Sequence, residues 1–123
     1  MGYETKLIIG KNCGKLSLED TDASYVNVIA TIDLCKCVFF DTWIDKDVDT
    51  EKVYFYGSDG NTVISKDQYD CPLFAIDPTK VLNMMKDANG EEKYRRYSAA
   101  IPMLESLIKT FEGENLTCIL YGH

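Results

Sequence analysis

Histidine is nearly absent from this 123-residue sequence, and its single copy, His123, is the last residue. Chain ends fray in most domains, so we expect neither a catalytic triad nor a metal site built on this residue. No apolar run approaches the roughly 20 residues that a membrane-spanning helix needs. The opening residues, MGYETK, also lack the basic segment and apolar core of a secretory signal. These absences predict a cytoplasmic protein.

Clustered cysteines are missing as well. The five cysteines are odd in number and widely spaced, which favours reduced, mostly buried thiols: Cys13, Cys35, Cys37, Cys71 and Cys118. Cys35 and Cys37 share one side of a predicted strand, but structural zinc needs four ligands, and the sequence has no second close pair. We therefore predict neither a metal nor a cofactor.

Positive charge is scarce. The chain has 20 acidic and 13 basic residues, which give a formal net charge of −7, and its only arginines are Arg95 and Arg96. Such a protein repels nucleic-acid phosphates and attracts basic partners. Direct DNA or RNA binding is therefore not expected.

The longest stretch with a clear period runs from Ser24 to Phe40. Alternate residues share one side of it and are apolar, which predicts a strand with one dry face: Val26, Val28, Ala30, Ile32 and Leu34. A bulge or turn is expected near Asp33 to Lys36, where the alternation fails.

Other segments complete the predicted fold. Further strands are expected at Tyr3–Ile9, in a hairpin around Gly57–Asn61, at Leu73–Ile76 and at Leu116–Tyr121. A helix should start at Asp77-Pro78 and stop at Asn89-Gly90, and a second should run from Glu91 to Gly113, with a kink or break near Pro102. The sequence thus predicts one α+β domain over residues 1–123. It has a mainly antiparallel sheet of five to six strands, two or three C-terminal helices and a final strand.

The segment from Asp41 to Glu51 is rich in acids: Asp41, Asp45, Asp47, Asp49 and Glu51. A calcium loop starting at Asp45 would need glycine at its sixth position and glutamate at its twelfth, where Thr50 and Tyr56 stand. One interpretation is a solvated loop. The other is a partner-binding surface for a basic groove, enlarged by Glu112 and Glu114 if the fold brings them near.

The segment from Lys93 to Tyr97 contains both arginines of the sequence, one lysine and two tyrosines. Lys93, Arg95 and Arg96 could grip phosphates, and Tyr54 and Tyr56, on one side of a strand, could stack on a base. The alternative is core tyrosines beside a solvated basic face. A third hypothesis is an enzyme that uses paired carboxylates, such as Asp33 with Asp41 or Glu105.

Three separate pieces, YETKLIIGK, IATIDLCKC and the closing ILYGH, resemble small accessory proteins carried by bacteriophages. The resemblance covers only these pieces and transfers no functional residue. It implies a non-catalytic protein that binds and blocks host machinery in the bacterial cytoplasm, as anti-CRISPR proteins do, or that sequesters a nucleotide signal. Apart from this resemblance, a homo-oligomer stays an open alternative.

Overall fold

A computed structural model describes residues 4–15, 23–35, 44–45, 47–88 and 95–122. Its strands are β1 (Thr5–Asn12), β2 (Ser24–Cys35), β3 (Val53–Tyr56), β4 (Val63–Ile64) and β5 (Leu116–Gly122). Its helices are α1 (Pro78–Ala88) and α2 (Arg95–Thr110). The five strands form one sheet in the order β4-β3-β2-β1-β5, in which only the β2–β3 pairing is parallel. The predicted α+β class, mainly antiparallel sheet and final strand are confirmed.

Glycine at position 10 lets β1 lie unusually close to β2. A Cβ atom there would stand 2.5 Å from the carbonyl oxygen of Asn27 and 2.7 Å from Cγ1 of Val26. The predicted end of the first strand at Gly10 is therefore wrong: the strand passes through this position and continues to Asn12. Gly10 acts as a packing residue here rather than as a turn residue.

A bulge lies opposite this glycine. Ile9 pairs with Ala30 and Gly10 pairs with Val28, so Ile29 is an extra residue on β2. A second shift, between the pairs Thr5–Cys35 and Lys6–Asp33, confirms the irregularity predicted near Asp33. An extra residue reverses the side to which the following side chains point.

This reversal corrects the prediction of a single dry face on β2. Val26 packs in one apolar cluster with Ile8, whereas Ile32 and Leu34 pack in another with Ile9. Consecutive residues of a strand point to opposite faces, so the two clusters lie on opposite sides of the sheet. Each face of the sheet therefore carries a buried apolar cluster.

The helices cover one of these faces. Asp77 accepts a hydrogen bond from the Thr79 amide at 2.8 Å through its Oδ1, which confirms it as the N-cap of α1. Met85 of α1 and Leu104 of α2 are fully buried in the cluster that contains Ile9, which we call the main cluster. α2 continues through Pro102 without a break, so the described C-terminal region holds two helices.

The opposite face is enclosed by a strap that replaces the predicted strand at Leu73–Ile76. Its pairings are isolated: Phe74 pairs with Lys52, and Ile76 pairs with Cys118 of β5. These two pairings connect the segment before β3 to β5, which lies at the other end of the strand order. With the β2–β3 pairing, the strap and the sheet thus form a closed ring around the second cluster, which contains Leu73. The strap thereby brings the loop before β3 close to the start of β5.

Candidate acidic binding surface

The turn from Asp45 to Asp49 is closed by its own backbone and carboxylates. The Asp49 amide donates to the carbonyl oxygen of Asp45 at 2.6 Å, and the Val48 amide donates to the same oxygen at 3.1 Å. In return, the Asp45 amide donates to Oδ2 of Asp49 at 2.8 Å, and the Asp47 amide donates to Oδ1 of Asp45 at 2.9 Å. Asp45 and Asp47 remain exposed.

Asp49 differs from its neighbours because only 5% of its surface is exposed. Its Oδ2 also receives the ammonium group of Lys80 from α1. A partner cannot use a carboxylate that is buried and already paired. The prediction that Asp49 belongs to the partner-binding surface is therefore corrected: Asp49 holds the acidic turn in place.

The last predicted member of the acidic run, Glu51, sits beside the turn that follows α2. Nδ2 of Asn12 donates to Oε2 of Glu51 at 2.9 Å. The Asn12 amide donates to the Asn115 carbonyl at 3.0 Å, and Nδ2 of Asn115 donates to the Asn12 carbonyl at 3.1 Å. The fold therefore brings Glu51 near Glu112 and Glu114, as the enlarged acidic surface required.

We call this region the acidic face and define it by six exposed acids: Asp45, Asp47, Glu51, Asp77, Glu112 and Glu114. Lys11 lies at its edge and pairs with Glu114 at 3.1 Å. Asp77 was predicted only as a helix cap, because its nearness to Glu51 depends on the strap and no local pattern shows it.

Two clefts mark the acidic face. The larger, of about 390 Å³, is lined by Asn12, Asp49, Glu51 and Asp77 among others. The smaller, of about 250 Å³, lies between Asp77 and Glu112. Glu51 and Asp77 give the larger cleft carboxylate oxygens that can accept hydrogen bonds from basic side chains. The smaller cleft is largely apolar because of three side chains that line it: Ile108, Phe111 and Leu116.

The residues of the nucleotide-binding alternative are only partly described. Tyr54 is fully buried and packs against Tyr25 and Tyr56, with ring centroids 5.6 and 5.9 Å away. Its ring cannot stack on a base, so the prediction that Tyr54 binds a nucleotide is corrected. Tyr56 is half-buried in the same cluster.

Several predicted residues lie outside the described part of the chain. These are Asp41, Lys93 and the side chains of Arg95 and Arg96, whose backbone begins α2. Binding of a nucleotide by the arginine pair stays a prediction. Of the proposed carboxylate pairs, Asp33 stands opposite Lys6 on the sheet, and Glu105 on α2 lies 3.8 Å from Lys86.

The cysteines with described side chains differ in exposure. Cys13 and Cys71 are exposed, and Cys118 is buried. Burial, together with the nearby charge of Asp77, raises the pKa of the Cys118 thiol far above its ordinary range, so this thiol stays protonated. Within the described ranges, no three His, Cys, Asp or Glu residues are grouped so that they could hold a metal ion.

No helix in the described part of the chain is long and apolar enough to cross a membrane. Comparison with protein-family models, with curated proteins and with solved structures finds no match for this chain.

Proposed function

We propose that this protein is a non-catalytic, phage-type inhibitor of a host defence factor. Its acidic face covers the basic site through which that factor binds nucleic acid. The observation that carries the proposal is the gathering of six exposed carboxylates from three separate parts of the chain onto one face.

The chemistry of the acidic face matches that of a nucleic-acid backbone. A basic nucleic-acid site presents arginine and lysine groups that neutralise phosphates, and carboxylates can accept the same charged hydrogen bonds. The net charge of −7 adds long-range attraction, which speeds association with a basic surface. The clefts beside Glu51 and Glu112 offer room for long basic side chains to enter.

The test uses charge reversal at two exposed acids whose side chains take no part in the bonds of the acidic turn; Asp47 contributes only its backbone amide. Asp47→Lys and Glu112→Lys are combined in one variant. The control combines Asp70→Lys and Asp87→Lys, which make the same change in net charge away from the acidic face. In the described structure the Asp70 carboxylate pairs with Lys66 at 3.4 Å, and both side chains are largely exposed, so losing this contact costs little stability. Asp70 has a left-handed backbone (φ 63°), which lysine adopts less readily than aspartate, so circular dichroism first confirms that the control is folded.

Each tagged protein is used to capture partners from a bacterial lysate, and the captured proteins are challenged with duplex DNA. We expect the unchanged protein and the Asp70/Asp87 control to retain a nucleic-acid-binding enzyme that DNA displaces. The Asp47/Glu112 variant should lose it. Equal capture by both variants, or capture that DNA does not affect, would refute the proposal.

A further inference from the structure

We infer that Asp49 and Lys80 are positioning residues that hold the acidic turn in its binding conformation before a partner arrives. This inference rests on the proposed function, because it concerns how the acidic face presents its charges. Neither residue is expected to contact the partner strongly, since Asp49 is buried and its Oδ2 is taken by Lys80.

Among the described residues, apolar contacts to the turn are few. Val48, at its centre, is 70% exposed, and Ile44, which precedes the turn, is only partly buried against the main cluster. Among the described residues, polar bonds supply most of the contacts of the turn. The four bonds within it all involve Asp45; Asp49 takes part in two of them and is the residue that joins the turn to another element, through Lys80. Oδ2 of Asp49 links the Asp45 amide to the ammonium group of Lys80.

Lys80 connects this turn to a rigid element. It lies in the first turn of α1, and Val81 beside it is fully buried in the main cluster. The ion pair thus couples the acidic turn to the packed helix. An exposed carboxylate such as Asp47 then keeps a fixed place relative to Asp77 at the start of the same helix.

Fixed placement has a consequence for binding. Ordering a loop during association costs conformational entropy, and a loop that is already ordered avoids that cost. Arginine is also a planar fork whose paired hydrogen bonds demand a defined carboxylate position. Loosening the turn should therefore weaken binding mainly through faster dissociation.

Lys80→Met separates this inference from simple electrostatics. Removing one positive charge makes the formal net charge more negative than −7. Charge alone would then tighten binding to a basic partner, whereas loss of positioning should weaken it. The probe is a fluorescent nona-arginine peptide, followed by anisotropy and by stopped-flow dissociation at low salt.

Matched variants isolate the effect. Lys86→Met removes the same charge from the same helix and, within the described residues, breaks one exposed contact, 3.8 Å from Glu105. Lys80→Arg keeps the charge and should restore binding.

Asp49→Asn keeps the shape of the side chain and serves as the test if Lys80→Met does not fold; it is compared with Asp87→Asn, which removes the same charge at an exposed position away from the turn. Hydrogen exchange at the Asp45 amide reports the order of the turn without any probe.

We expect Lys80→Met or Asp49→Asn to weaken peptide binding about tenfold, which corresponds to about 1.4 kcal/mol. Exchange at the Asp45 amide should become faster, while Lys86→Met should bind at least as tightly as the unchanged protein. Unchanged or tighter binding by Lys80→Met, with a loosened turn, would overturn the inference and leave the proposed function standing. If Asp47→Lys with Glu112→Lys leaves peptide binding unchanged, the proposed function itself fails.

Discussion

Two buried aspartates close two exposed loops in this protein, and they do so differently. Asp49 and Asp67 are exposed by only 5% and 7%. Oδ2 of Asp49 receives one backbone amide and the ammonium group of Lys80. Oδ1 of Asp67 receives the amides of Tyr69 and Cys71 at 2.8 and 3.0 Å, and its Oδ2 has no hydrogen-bond partner within the described structure.

The difference shows two ways of placing a carboxylate inside a protein. At Asp67, backbone amides shape a local turn, and the carboxylate has no cation beside it in the described structure. At Asp49, a lysine from another element compensates the charge and ties the loop to α1. Burying an uncompensated charge is costly, so removing the charge should destabilise the Asp49 loop more than the Asp67 loop.

Removal of Lys80 should have the largest effect on stability. Lys80→Met leaves the Asp49 carboxylate buried without its cation, which typically costs about 3–5 kcal/mol. Lys80 is itself partly exposed, with 28% of its side chain accessible, so we expect the lower end of that range. Urea unfolding followed by circular dichroism measures it. Lys86→Met should cost less than about 0.5 kcal/mol, and equal losses for both variants would remove the distinction between these lysines.

Neutralising the two aspartates should change the free energy of unfolding by different amounts. Asp49→Asn weakens a charged bond to Lys80 and should cost about 2 kcal/mol. Asp67→Asn can keep an acceptor for the Tyr69 and Cys71 amides while removing a buried charge, so its effect should stay within about 1 kcal/mol of zero. Both variants are compared by urea unfolding at neutral pH. A larger loss for Asp67→Asn than for Asp49→Asn would contradict the comparison.

A third carboxylate provides the exposed counterpart and the smallest effect. The Thr62 hydroxyl, then the backbone amides of Thr62 and Asn61, lower the pKa of Asp59 from its ordinary value of 3.8 to about 2. Because the folded pKa is the lower one, this stabilisation is present above about pH 4 and is lost as the pH falls toward 2. Thr62→Val should raise the Asp59 pKa in an NMR titration, and the exposed substitution Thr110→Val should not. An unchanged Asp59 pKa in Thr62→Val would show that the hydroxyl does not stabilise the carboxylate.

Local patterns predicted much of the fold. The cap at Asp77 and the hairpin around Gly57–Asn61 depend on neighbouring residues, and both are confirmed. The change of face along β2 was not predicted, because the bulge at Ile29 lies opposite Gly10 of β1, where the two strands approach closely. A period-two pattern read along one strand cannot reveal a shift imposed by its neighbour.

In the candidate site too, some features follow from local sequence and others depend on residues far away in the chain. Exposure of Asp45 and Asp47 follows from their place in a run of charged residues, which is usually solvated. The burial of Asp49 depends on Lys80, 31 positions away, and no local feature separates Asp49 from the acids around it. The nearness of Glu51 to Glu112 likewise depends on Asn12 and Asn115, whose hydrogen bonds join segments that are far apart in sequence.

The most direct test of the acidic face is the displacement of labelled duplex DNA from the captured host enzyme, with increasing amounts of each protein. We predict that the unchanged protein and the Asp70→Lys, Asp87→Lys control displace the DNA at similar concentrations. The Asp47→Lys, Glu112→Lys variant should need at least tenfold more. Equal displacement by all three proteins would contradict a function carried by the acidic face.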